Sequence, residues 1–189
     1  LVPVVNMLSD FAHPLQAVAD VLTMQQSLGK LSGKTVTYVG DFNNVARSLC
    51  EASAMLGMHI RLGCPEGYDA QDNELLGLTE LGAASVEQYR DIAIAVTGAH
   101  AVHTDTWTSM GQESESAERE TVFTGFEVTN EIMSLADSSA IFMHCLPAHR
   151  GQEVSPSVID GPQSKIYQQA HNRMHAARGV LAFLMGVQQ

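Results

Sequence analysis

Thr35-Val36-Thr37-Tyr38-Val39-Gly40-Asp41-Phe42-Asn43-Asn44 (TVTYVGDFNN) is the stretch that decides the fold. Five β-branched or aromatic residues run into a glycine, the pattern of a buried strand that ends in a turn. From Asn44 to Leu56 the period changes: Val45, Leu49, Ala52 and Leu56 recur at helical spacing on one face, and Gly57 stops the run. Strand, tight turn and amphipathic helix form the unit of a parallel sheet wrapped by helices. The unit repeats outward from there. Met58 to Leu62 reads as a second strand, Gln71 to Leu81 as a helix and Ser85 to Tyr89 as a third strand. Asp91 to Val96 fits a short helix or a strand equally well. Ala101 to Thr104 is a strand opening on a polar loop, with helices expected near Glu113 to Phe123 and Thr129 to Ala136. Ala140 to His144 (AIFMH) is a buried strand, Lys165 to Tyr167 a weak edge strand, and Gln168 to Met185 a long closing helix. Upstream, His13 to Leu28 is an amphipathic helix with Pro14 in its first turn, where a missing N–H costs little. The expected fold is α/β: a Rossmann-like parallel sheet in three layers, α/β/α.

A chain of 189 residues with 45% hydrophobic content is ample for one packed domain. Its longest apolar stretches, such as Val180 to Met185, are too short to span a bilayer, and no basic segment of a secretory signal precedes Leu1 to Val5. Ten Lys and Arg against 21 Asp and Glu give a formal charge of -11. Nucleic acids and anionic membranes are bound by basic residues that neutralise phosphates, so neither is an expected partner. Three cysteines, Cys50, Cys64 and Cys145, are an odd number without metal-knuckle spacing, as in a protein of a reducing compartment.

Ligands of open parallel sheets bind beyond the carboxyl ends of the strands. Three such ends carry polar clusters: Asp41 to Asn44, Asp105 with Trp107 to Gly111, and His144-Cys145-Leu146-Pro147. Each has a plain structural explanation. Asn44 fits a helix cap, Asp105 a turn residue, and Cys145 a small buried apolar group. Together on one rim they point to a binding crevice. The turn after the first strand lacks the spaced glycines of a dinucleotide site, which leaves nucleotide binding as the lesser reading. His171 and His175, four apart on the last helix, have the spacing of a metal pair, but HNRMH lacks the Glu of a zincin motif and no metal or cofactor is expected. The acidic run Glu113, Glu115, Glu118, Glu120 reads as a solvated helix face.

Five motifs in order resemble those of the aspartate/ornithine carbamoyltransferase family. His13-Pro14-Leu15-Gln16 is similar to its HPxQ signature, and Gly40-Asp41-Phe42-Asn43-Asn44 to its GDxNN turn. Asp105 to Glu113 (DTWTSMGQE) resembles the DxWxSMGQE loop of the ornithine branch, His144 to Pro147 its HCLP segment, and Asn172-Arg173 its late NR pair. The resemblance implies an ornithine carbamoyltransferase, whose substrates are carbamoyl phosphate and L-ornithine. It implies an interdomain helix within residues 1–29, an L-ornithine-binding α/β domain over 30–167 and a C-terminal helix over 168–189. The amino-terminal carbamoyl phosphate domain, with its SxRT motif, would be missing from this chain, so the chain alone is expected to be inert.

By the same resemblance, His13 and Arg173 would hydrogen-bond the carbamoyl oxygen. Gln16 and the backbone carbonyl of the Cys145-Leu146 pair would hold the carbamoyl nitrogen. Asn44 and the Met110 backbone would serve the ornithine α-carboxylate, Asp105 with Ser109 the α-ammonium, and Cys145 would lie near the side-chain amine. Catalytic roles fall to Cys145, His13 and Arg173. The resemblance further implies a cytoplasmic homotrimer in arginine biosynthesis. A related amine such as putrescine or N-acetylornithine, or an amino-acid-binding domain without turnover, are the alternatives. Two departures stand out: Phe42 where the family carries a smaller residue, and His171 where it carries an acidic one.

Overall fold

The computed structural model describes residues 2–109 and 111–187. Five parallel strands form its sheet: β1 (Thr35–Val39), β2 (His59–Gly63), β3 (Ser85–Tyr89), β4 (Ala101–Thr104) and β5 (Ile141–His144), in the order β3-β2-β1-β4-β5. The chain winds outward from β1 to β3, then crosses back to place β4 on the other side of β1. The crevice of an open sheet forms where the winding reverses, here between the carboxyl ends of β1 and β4. Register fixes what meets there. Val39 pairs with Thr104, and Thr104 with His144, so the residues that follow, Gly40, Asp105 and Cys145, leave the sheet side by side.

Strand side chains alternate between two cores, as the pleat requires. Val36, Tyr38, Ile60, Leu62, Ala101, Ile141 and Met143 face one core. There they pack against α1 (Pro14–Leu28), α2 (Asn44–Met55) and α3 (Asp72–Glu80). Val39, Val102 and Phe142 face the other, with α4 (Ile92–Val96), α6 (Asn130–Met133) and α7 (Pro156–Ile159). Helix α8 (Ile166–Leu184) lies over β5 and against α1, and α5 (Ser116–Val122) follows a 3-10 turn at Glu113–Glu115. This is the expected three-layer α/β/α arrangement.

Local differences from expectation have local causes. The undecided stretch is helix α4, started by the Asp91 side chain accepting from the Ala93 N–H at 2.8 Å. The edge strand expected at Lys165 to Tyr167 does not form. A single bridge joins Phe142 to Ser164, and α8 begins at Ile166, whose side chain is buried against the second core. In α2 the buried face is turned from the apolar stripe. Ala46, Cys50, Ser53 and Ala54 are covered, while Leu56 is 42% exposed. Small residues let α2 sit close to its neighbours, and hydrophobic spacing gives them little weight. Helix α7, four residues started by Pro156, is too short to carry a periodic signal.

The second core holds an aromatic group around fully buried Phe123, with Trp107 stacked on it at 5.8 Å and Tyr68 and Phe126 edge-on at 5.0 and 6.2 Å. Phe123→Ala is expected to destabilise the chain by about 3–5 kcal/mol, the usual cost of emptying an aromatic core position. Urea unfolding followed by the fluorescence of Trp107, the single tryptophan, checks it.

Candidate active site

The crevice at the β1/β4 switch has a volume of roughly 1460 Å³ and opens to solvent. Its floor is a carboxylate. Asp105, 6% exposed, receives three hydrogen bonds: from Asn43 Nδ2 to Oδ2 at 2.9 Å, and to Oδ1 from its neighbour's Thr106 N–H at 2.8 Å and the Cys145 thiol at 2.9 Å. Asn43 is held in turn, because its Oδ1 caps α2 by accepting from the N–H groups of Val45 and Ala46. The cap is therefore Asn43 and not Asn44, whose side chain donates to Ser9 O at 2.7 Å at the crevice rim.

Burial, the Asp105 charge and the hydrogen bond donated to Asp105 push the Cys145 thiol well above its ordinary pKa, so it is neutral near pH 7. Leu146, at φ 62, continues the turn, and its N–H donates to His144 Nδ1 at 2.9 Å. His144 Nε2 lies 3.2 Å from buried Glu153. Asp105, His144 and Cys145 bring ligand atoms within 4.8 Å of one another. A cation there would have to displace the hydrogen bonds that already engage the thiol and both ring nitrogens, so the set reads as a hydrogen-bonded turn.

In the same crevice, His13 starts α1 with its own N–H donated to Ser48 Oγ at 2.9 Å and Nδ1 buried without a partner among the described residues. Burial, and secondarily the charge of Arg173, lower its pKa, which keeps the ring neutral at pH 7. Arg173 itself is exposed on α8. Gln16 is buried one turn behind His13. His13, Asn44, Asp105, Ser109, Cys145 and Leu146 all line the crevice; the described lining includes neither Gln16 nor Arg173, and Met110 lies outside the described residues. Phe42 packs under the turn, 8% exposed, with the Arg47 guanidinium 5.2 Å from its ring centre. His171 stands exposed with its ring 4.8 Å from that of His175.

One determinant was hidden in the acidic run. Arg119, 5% exposed, donates to Asp41 at 2.7 Å, to Trp107 O at 3.0 Å and to Glu115 at 3.1 Å, with Tyr68 under its guanidinium. It ties the loop after β4 to the turn after β1. A single cation among four glutamates gives little sign of burial, because charged helix faces are ordinarily solvated.

A parallel α/β domain with a polar crevice at its switch point belongs to the class of sheet-edge small-ligand binders. Residues 32–184 match the family described as aspartate/ornithine carbamoyltransferase, Asp/Orn binding domain, and the chain belongs to that family. It is 50% identical over 187 residues to an ornithine carbamoyltransferase of Parasynechococcus marenigrum, covering 98% of this chain and 59% of that protein. The solved ornithine carbamoyltransferase of Pyrococcus furiosus superposes with a TM-score of 0.90 at 44% identity, over 99% of this chain and 61% of that one. The one from Gloeobacter violaceus gives 0.89 at 40%, over 97% and 62%. The chain thus spans about three fifths of the length of these relatives.

Thiol reactivity reads out the carboxylate at the crevice floor. Native Cys145 is expected to alkylate with iodoacetamide at pH 8 at least about tenfold more slowly than in the unfolded chain, since only the thiolate reacts. Asp105→Asn removes the neighbouring charge, lowers the thiol pKa and should speed alkylation of Cys145 but not of buried Cys50. Peptide mapping of the modified protein distinguishes them.

Proposed function

We propose that the protein to which this chain belongs is an ornithine carbamoyltransferase, and that this chain supplies its ornithine-binding half. The observation that carries the reading is the buried Asp105 carboxylate beside the neutral Cys145 thiol, in a crevice facing His13. A carboxylate at the floor of a crevice selects a cation, and the relatives are named for a substrate with two amines. L-ornithine would enter with its α-ammonium on Asp105 and Ser109 and its α-carboxylate near Asn44 and the Met110 backbone. The δ-amine would lie by Cys145.

In the reaction, the neutral δ-amine attacks the carbonyl carbon of carbamoyl phosphate. A C–N bond forms, a tetrahedral oxyanion collapses, the C–O bond to phosphate breaks, and the amine proton leaves with the phosphate. Donors aimed at the developing oxyanion contribute most, commonly a few kcal/mol each. His13 and Arg173 take that role in this proposal, while Gln16 and the carbonyl of the Cys145-Leu146 pair hold the carbamoyl nitrogen. A neutral His13 donates without adding a second positive charge beside Arg173. Cys145, held as a thiol before substrate arrives, serves first as a polar contact for the amine. A cationic amine placed against it would favour the thiolate and let it accept a proton.

The phosphate cradle belongs, on this reading, to a separate amino-terminal domain. The same reading makes the whole protein a cytoplasmic homotrimer serving arginine biosynthesis. Among the described residues no helix is long and apolar enough to cross a membrane.

The full-length protein is expected to form citrulline from carbamoyl phosphate and L-ornithine far faster than it carbamoylates putrescine or N-acetylornithine, and the 189-residue chain alone to form none. Asp105→Asn should lower kcat/KM for ornithine roughly tenfold to a hundredfold, the worth of a hydrogen bond to a charged group. Colorimetric ureido detection with the three amines in parallel is the assay. Preference for putrescine or N-acetylornithine would keep the chemistry and overturn the ornithine pocket.

A further inference from the structure

Behind the crevice, Gln16, Asp20, His103 and Gln169 form a polar cluster between α1, β4 and α8 in which no member is more than 1% exposed. The orientation of every amide in it is set from one end. The backbone N–H of His144 is a donor in any circumstance, and it lies 2.9 Å from the Gln169 side chain, which must turn Oε1 toward it. Gln169 Nε2 then faces Asp20 Oδ1 at 2.7 Å and His103 Nε2 at 3.0 Å. Asp20 Oδ1 therefore accepts, and Gln16 presents Nε2 to the same oxygen, also at 2.7 Å. The amide of Gln16 is left with its carbonyl, Oε1, turned away from Asp20. That oxygen is buried and meets no protein donor among the described residues.

Residues 13, 16 and 20 share one face of α1, and His13 lines the crevice with its own buried Nδ1 without a partner among the described residues. A buried carbonyl oxygen without a donor, such as Gln16 Oε1, is costly unless a ligand completes it. We propose that Asp20 is a positioning residue: it holds the Gln16 amide with its NH2 inward and its carbonyl outward, as an acceptor for the carbamoyl NH2. The consequence is specificity at the donor substrate. An acyl phosphate bearing an amine satisfies Gln16 Oε1, whereas one bearing a methyl in the same place leaves it unpaired. The inference rests on the carbamoyltransferase reading, because it presupposes that the ligand carries that NH2.

The test uses the full-length enzyme and compares KM for carbamoyl phosphate with the inhibition constant of acetyl phosphate. Asp20→Leu removes the shared acceptor and frees the Gln16 amide to turn, so the ratio of the two constants should shrink about tenfold, with KM for ornithine changed less than about twofold. Asp20→Asn can place a carbonyl oxygen where Oδ1 sits and is expected to restore the ratio to within about threefold of the wild type. A purely structural role would weaken both acyl phosphates alike. An unchanged ratio in Asp20→Leu, or equal loss in Asp20→Asn, overturns the proposal while wild-type turnover leaves the enzyme reading intact. A wild-type protein without carbamoyl phosphate turnover overturns the enzyme reading itself. Should Asp20→Leu not fold, nitrogen-15 glutamine labelling of the wild type decides. The Gln16 NH2 protons should be protected from exchange before ligand is added, and protection that appears only with carbamoyl phosphate overturns the assignment.

Discussion

A carboxylate placed where the sheet reverses its winding is the constraint from which the rest of the site follows. Asp105 leaves β4 between the ends of β1 and β5, and parallel register sets it beside the turns after those strands. A buried carboxylate without donors would be expelled or protonated, so each adjoining turn supplies one: Asn43 from the first, Cys145 from the last. Asn43 can do so only because its other amide atom caps α2, which fixes the side chain on both ends. The helix, the turn and the site are thus one hydrogen-bonded unit, and a change that loosens the cap also loosens the floor of the crevice.

Charge is distributed with the same economy. The chain carries a formal charge of -11, and among the ionic groups that line the crevice two side chains are held neutral. Burial and the Asp105 charge keep Cys145 a thiol, and burial with the Arg173 charge keeps His13 an uncharged imidazole. The crevice therefore presents a carboxylate at Asp105 beside an uncharged thiol, with an uncharged imidazole at His13. Arg119 serves a different end. Its bonds to Asp41 and to Trp107 O hold the loop after β4 against the first turn.

The parts of this arrangement legible in the sequence were those with a local signature. The strand at Thr35–Val39, the polar clusters at three strand ends and Pro14 at the start of α1 each announce themselves within ten residues. Asn43 was passed over for Asn44 because either fits a cap, and only the backbone decides which precedes the first helical turn. Asp20 and Gln169 are separated by 149 positions, and their pairing depends on how α8 returns over α1. An Asp on the otherwise buried face of α1, seven residues after His13, was the available hint. A charge at a core position needs a partner, even when the sequence does not name it.

The buried polar cluster also explains why two helices so far apart in sequence are joined by amides rather than by leucines. Apolar packing between α1 and α8 would hold them with comparable strength, and a fully buried carboxylate is a weak source of stability. What amides and a carboxylate add is direction. His144 N–H, at the end of β5, sets Gln169; Gln169 faces Asp20; Asp20 sets Gln16. The strand end that delivers Cys145 to the crevice is thereby coupled to the helix that begins beside His13 and carries Gln16. A leucine core would fix the distance between the two helices but not which atom of Gln16 faces Asp20.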